Sequence, residues 1–188
     1  NPSTEDFMKA IERVNADAAI LLPNNKNIIM AAEQAAKLSE TTQVEVVASR
    51  TIPQGIAALM AYNSEGTLEE NAESMRSSMA YVRSAEVTYA VRDTHFNGTE
   101  IHEGDIIGLL DGAITEVGQS VDAVALALLC GMIEKKGEDS IVTVFYGENM
   151  DEENANALVE AVNEKYPDAE CMVQRGGQPL YYYYFSVE

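Results

Sequence analysis

Two strings, Leu22-Pro-Asn-Asn-Lys-Asn27 and Arg50-Thr-Ile-Pro-Gln-Gly55, each follow a short apolar run and precede a helical pattern. The runs, Ala18–Leu22 and Val44–Ala48, read as buried strands bounded by turn residues. Strand, turn and helix written twice in succession dictate helical crossovers and a parallel sheet. They also fix where a working surface lies. In an open sheet of this kind, ligands and partners collect at the carboxyl ends of the strands, where such turns point.

The helices around these strands are set by local signals. Ser3 caps a first helix over 4–15, with acids in its first turn and Phe7, Ala10, Ile11 and Val14 at helical spacing. Ile28, Ala31, Ala32, Ala35, Ala36 and Leu38 mark one face of a helix over 26–39. Pro53 opens the next helix, since a proline at the first helical position gives up only an N–H that would be unpaired anyway. Thr67-Leu-Glu-Glu70 is a capping box that starts a helix over 68–83. Met75 and Met79 lie on its inner side, where they read as core packing or, with Met60, as an acyl-lining group.

Past Ser84 the pattern changes. A strand at 87–91, runs at 106–110 and 113–117, and the turn pairs Asn97-Gly98 and Asp111-Gly112 predict an antiparallel unit over 86–118. Ser120 caps an apolar helix over 121–134, which Lys135, Lys136 and Gly137 end. Strands at 140–146, 169–174 and 180–187 surround a helix over 151–165. The expectation is an α/β fold with a parallel-sheet first half, 1–85, and an α+β second half, 86–188, with a mixed antiparallel sheet.

With 31 acidic and 12 basic residues the net charge is −19, a field that repels nucleic acid and anionic lipid; its acids read first as solubilising the surface and otherwise as attracting a basic partner protein. No apolar run approaches the roughly 20 residues of a membrane helix. The start carries no signal-peptide pattern and no initiator Met, as expected of a piece of something longer. Cys130 and Cys171 read as small buried apolar residues in a reducing, cytoplasmic setting.

The candidate site follows from the two turns. Asn24, Asn25, Lys26 and Asn27 put amides and a cation at a helix start, which suits either capping or an anion. Thr51, Pro53, Gln54 and Gly55 add a hydroxyl, an amide and a glycine on the neighbouring turn. Arg92 and Asp93 form a local ion pair or turn, and join the candidates. His95 and His102, six apart, lack the further donors a metal needs. Tyr181, Tyr183 and Phe185 alternate with Tyr182 and Tyr184 as a strand between two apolar layers. The chain contains no phosphate-cradling loop, nucleophile elbow or metal-ligand cluster.

Pro23-Asn-Asn-Lys-Asn-Ile28, Thr51-Ile-Pro-Gln-Gly55, Gly104-Asp105, Asp111-Gly112, Phe145-Tyr-Gly-Glu148 and Gly177-Gln-Pro-Leu-Tyr181 together resemble one family. It is the bacterial dihydroxyacetone-kinase-like kinase component of fatty acid kinase, and the resemblance is to its C-terminal domain. That resemblance implies a DegV-like fold. It places ATP and magnesium in an N-terminal domain of the full-length protein, so no cofactor is expected in this chain. It implies two partners, a DegV-type fatty-acid-binding protein and the kinase domain of the same polypeptide, and leaves a homodimer open. DegV relatives hold their fatty acid with a Ser/Thr-Gly-rich loop, and Arg50–Gly55 departs from that pattern. No catalytic role passes to any residue. The implied function is partner docking, with fatty acid or phosphorylated-ligand sensing as the alternative.

Overall fold

The computed structural model describes residues 1–96 and 98–188, which divide into two compact units, 1–82 and 83–188. The division falls just before the expected 85/86 boundary, because a strand begins at Arg83.

In the first unit, α1 (Thr4–Val14) is closed at its start by Ser3, whose hydroxyl accepts from Asp6 N–H while Asp6 accepts from Ser3 N–H. β1 (Ala18–Leu21) and β2 (Gln43–Val46) pair in parallel, Ala18 opposite Gln43 and Leu21 opposite Val46. α2 (Ile29–Leu38) crosses between them after a 3-10 turn at Lys26–Ile28, so the helix expected from residue 26 starts tighter than an α-helix. α3 (Ile52–Met60) and α4 (Leu68–Met79) follow β2. α4 stops at Met79 rather than 83: Tyr81 and Val82 continue the apolar pattern, but only as a turn leading into the next strand. One buried cluster joins Val47, Ala58, Ala72 and Met75, with Ile20, Leu22 and Met79 packed against it, and Ile11, Ile28, Ala32 and Ala35 are buried under α1 and α2. Met60 is exposed, so it does not join Met75 and Met79.

The second unit is a six-stranded sheet in the order β7-β6-β3-β10-β8-β9. Its strands are β3 (Arg83–Tyr89), β6 (Ile106–Leu110), β7 (Ala113–Gly118), β8 (Ile141–Tyr146), β9 (Glu170–Arg175) and β10 (Tyr183–Val187). A hairpin of β4 (Thr94–Phe96) and β5 (Thr99–Ile101) stands apart. Its expected Asn97-Gly98 turn includes Asn97, which lies outside the described residues. The strand expected at 87–91 is β3, four residues earlier at its start, because Ala85 and Val87 alternate into the core. β8 and β9 run parallel and all other pairs in this sheet run antiparallel. At the β6–β7 hairpin, Asp111 (φ 50) and Gly112 (φ 82) supply the two positive φ values that a type I′ turn requires.

α5 (Val121–Lys136) and α6 (Glu152–Lys165) pack against this sheet, over β6, β7, β3 and β10 in one case and β8 and β9 in the other. Tyr183, Phe185 and Val187 are fully buried in its core. The last strand begins at 183, not 180. Leu180 sits at φ 71 and its carbonyl accepts the Thr88 hydroxyl at 2.7 Å, which turns the chain before the ladder forms. Tyr181 consequently leaves the Tyr183 face and lies 4.9 Å from the Tyr184 ring. Cys130 and Cys171 are half-buried, not buried.

Candidate functional site

Parallel pairing brings the ends of β1 and β2 to one rim, and the turns that follow are locked together. Val47 N–H donates to Leu21 O at 3.0 Å, carrying the pairing one step past β2. Asn24 then adopts φ 58, a left-handed conformation that Asn tolerates better than most residues. Its N–H donates to Ser49 Oγ at 3.0 Å, and the Ser49 hydroxyl donates back to Asn24 Oδ1 at 2.7 Å. Ser49 is fully buried. Gly55 closes the lock from the other side, since a Cβ there would lie 1.9 Å from Asn24 Oδ1.

Each turn also organises its own helix. Asn25 Oδ1 accepts from Asn27 N–H at 2.9 Å and caps the 3-10 turn, while its amide donates to Asn1 Oδ1 at 3.3 Å. Thr51 Oγ1 accepts from Gln54 N–H at 3.3 Å and caps α3, with Pro53 in its first turn. Gln54 Oε1 turns back to accept Arg50 N–H at 2.9 Å.

The eight turn residues therefore sort into two groups. Thr51, Pro53 and Gly55 are buried and Asn24 half-buried, and these four hold the corners in place. Asn25 and Gln54 are half-exposed, and Lys26 and Asn27 are exposed. Ser49 is the residue that sequence reasoning missed. A serine directly after an apolar strand and before a polar turn was the available signal. Arg92 and Asp93 belong to the second unit, on an exposed bend after β3. Of the ion pair or turn expected there, the chain shows a bend, and Asp93 Oδ1 accepts from Glu103 N–H at 2.8 Å and lies 3.9 Å from His102 Nδ1.

The corners offer side-chain amides, a hydroxyl and a cation, Lys26. His95 and His102 are exposed beside Glu100 and Asp93 respectively. Among the described residues, no group of three or more His, Cys, Asp and Glu side chains is placed to hold a metal ion. No described helix is long and apolar enough to cross a membrane. On the second unit, Lys165 Nζ lies 3.9 Å from Cys130 Sγ, and Tyr166 donates its hydroxyl to Glu134 at 2.8 Å. That bond and burial push the Tyr166 hydroxyl up to about 12.

The first unit holds two adjoining hollows. One, about 370 Å³, is walled by Val14, β1, the end of α3 at Leu59 and Tyr62, and Leu68 and Met75 of α4. The other, about 400 Å³, is lined by Asn63, Glu65, Glu70 and Ser74 among others. Gly66 and Asn71 border both.

The fold is that of the DegV proteins. The Streptococcus pneumoniae fatty acid kinase (Fak) B3 protein, solved loaded with linoleic acid, superposes with a TM-score of 0.69 at 13% identity, over 100% of this chain and 76% of that one. The dihydroxyacetone kinase of C. freundii superposes at 0.65 and 12% identity, over 100% of this chain and 42% of that one. The chain itself belongs to the family of FakA-like C-terminal domains of fatty acid kinase, whose model matches residues 1–188. Protein YloV of Bacillus subtilis (strain 168) is 44% identical over 188 residues, which are 100% of this chain and 34% of YloV. The chain thus spans about a third of the length of such relatives.

Proposed function

We propose that this chain is a non-catalytic docking domain, which positions an acyl-carrying DegV-type protein for a kinase domain elsewhere in a longer fatty acid kinase polypeptide. The observation that carries this reading is the Asn24–Ser49–Gly55 lock. It fixes two amide-rich corners at one rim, a pre-organised contact surface with no nucleophile or base paired for reaction. ATP and magnesium belong, on this reading, to the remainder of the polypeptide.

Calorimetric titration of the chain with a DegV-type fatty-acid-binding protein tests it. Saturable association is expected, weakened at least tenfold by the combined replacement Asn25→Ala, Gln54→Ala. Silence in that titration counts against docking. The apolar 370 Å³ hollow supports a second reading, a domain that senses a fatty acid. Native mass spectrometry of freshly purified protein separates the two, because a retained acyl chain is expected only of a sensor.

A further inference from the structure

The apolar hollow of the first unit has one unusual neighbour. Ala18, Ala19 and Ile20 of β1 and Leu22 just past it line the hollow, together with Leu59 and Tyr62, both more than half exposed. Asn71 is the polar side chain in its wall, and that side chain is fully used. Its Oδ1 accepts from Asn63 N–H at 2.7 Å, and its Nδ2 donates to the carbonyls of Asn63, Gly66 and Thr67 at 2.9, 3.2 and 3.0 Å. The hollow therefore accepts apolar groups. Across Gly66 and Asn71 the surface turns acidic, with Glu65 and Glu70 exposed in the adjoining hollow. Neither carboxylate has a cationic partner among the described residues.

We infer that these two hollows form one bipartite cleft for a protein segment that carries a bulky apolar side chain next to an Arg or Lys. The apolar side chain fills the space against β1, and the cation pairs with Glu65 and Glu70. This rests on the docking reading and deepens it by naming a surface and the chemistry of the segment it takes. The charges choose the occupant. A fatty acid threaded into the apolar hollow places its carboxylate near two carboxylates at the shared border, and like charges repel. A basic residue there gains attraction instead, in a chain whose net charge of −19 already draws basic partners. Exposed apolar residues, Leu59 and Tyr62, beside an apolar hollow are also what an anchor-and-pocket contact needs.

The test is the titration with the DegV-type fatty-acid-binding protein, repeated on two variants. Ala18→Phe fills the apolar hollow from an exposed strand position, and Glu65→Lys reverses charge on an exposed loop. Each is expected to weaken association at least tenfold with an unchanged urea midpoint. Added salt is expected to weaken the wild type more than Glu65→Lys, because screening removes the attraction that the variant lacks. Binding by both variants within twofold of wild type overturns the cleft while leaving docking intact. Absence of wild-type binding overturns docking and the cleft with it. A fatty acid that wild type retains and Ala18→Phe expels also overturns the cleft, because the hollow then serves a lipid. Glu65→Lys keeps the test decisive should Ala18→Phe fail to fold.

Discussion

Gly55 and Asn24 are 31 positions apart, yet the identity of one is set by the other. An alanine methyl at 55 would lie 1.9 Å from Asn24 Oδ1, and the amide cannot swing away without leaving Ser49. Gly55→Ala is expected to cost about 2 kcal/mol in urea denaturation, within the range for a broken buried contact. In an Asn24→Gly background, which keeps the positive φ, the same change should cost at least about 0.5 kcal/mol less, the signature of direct coupling. Equal costs in the two backgrounds would refute the lock. Tyr183 is the opposite case. Its ring stacks 5.6 Å from Phe185, but its buried hydroxyl finds no hydrogen-bond partner among the described residues. Burial, with Asp122 and Asp151 adding to it, drives its pKa upward and keeps it protonated. Tyr183→Phe retains the ring and removes a buried polar group, so stability should hold or rise by up to about 1 kcal/mol. A loss of similar size would show that the hydroxyl has a role.

Helix starts were the most legible elements, because a cap is a local event. Ser3, Thr67 and Ser120 cap where the sequence places a start, and Thr51 and Asp151 cap helices that start one residue from the expected positions 53 and 151. Strand ends were less legible, because pairing comes from distant chain. β3 begins at Arg83 since Val187 stands opposite it, and β10 starts late since Leu180 turns over Thr88. The caps carry a pH dependence of known sign. Glu70 accepts from Thr67 N–H at 2.8 Å, and that bond, with help from the Thr67 hydroxyl, holds its carboxyl below the usual carboxylate range. The folded pKa is thus lower than the unfolded one. The contribution is complete above the unfolded value and disappears as pH falls through the folded one. Asp6 follows the same rule through Ser3. In proton exchange by NMR, the N-cap amides of Ser3 and Thr67, which donate to these carboxylates, should lose protection as pH falls through the folded values, before the central strands do. Thr67→Ala should cost about 1 kcal/mol, and Glu70→Gln, which cannot titrate, should abolish that dependence at α4 alone.

At the scale of the molecule, the site was half legible. The two corners announced themselves as polar strings after strands. The bipartite cleft did not, since Val14, Ala18, Leu59 and Leu68 come from four elements and each reads as ordinary core at its own spacing. The two units also differ in how they are held. The second has a six-stranded sheet with α5 and α6 packed on it, and its core includes Tyr183, Phe185, Leu129, Ile133, Val142 and Val144, all fully buried. The first rests on a two-stranded sheet, and half of its ten buried hydrophobic residues are alanines. Large buried side chains dominate the free energy of a small domain, and below roughly 100 residues the margin is narrow. Residues 83–188 produced alone should therefore fold, with a cooperative urea transition and slowest amide exchange in β10, whose neighbours β3 and β8 shield it on both edges. In the complete chain, Met75→Ala removes the largest side chain of the smaller core and should cost about 2–5 kcal/mol locally. Faster exchange of the β1 and β2 amides is the expected readout, and unchanged protection there would mean that this core does not hold the first unit together.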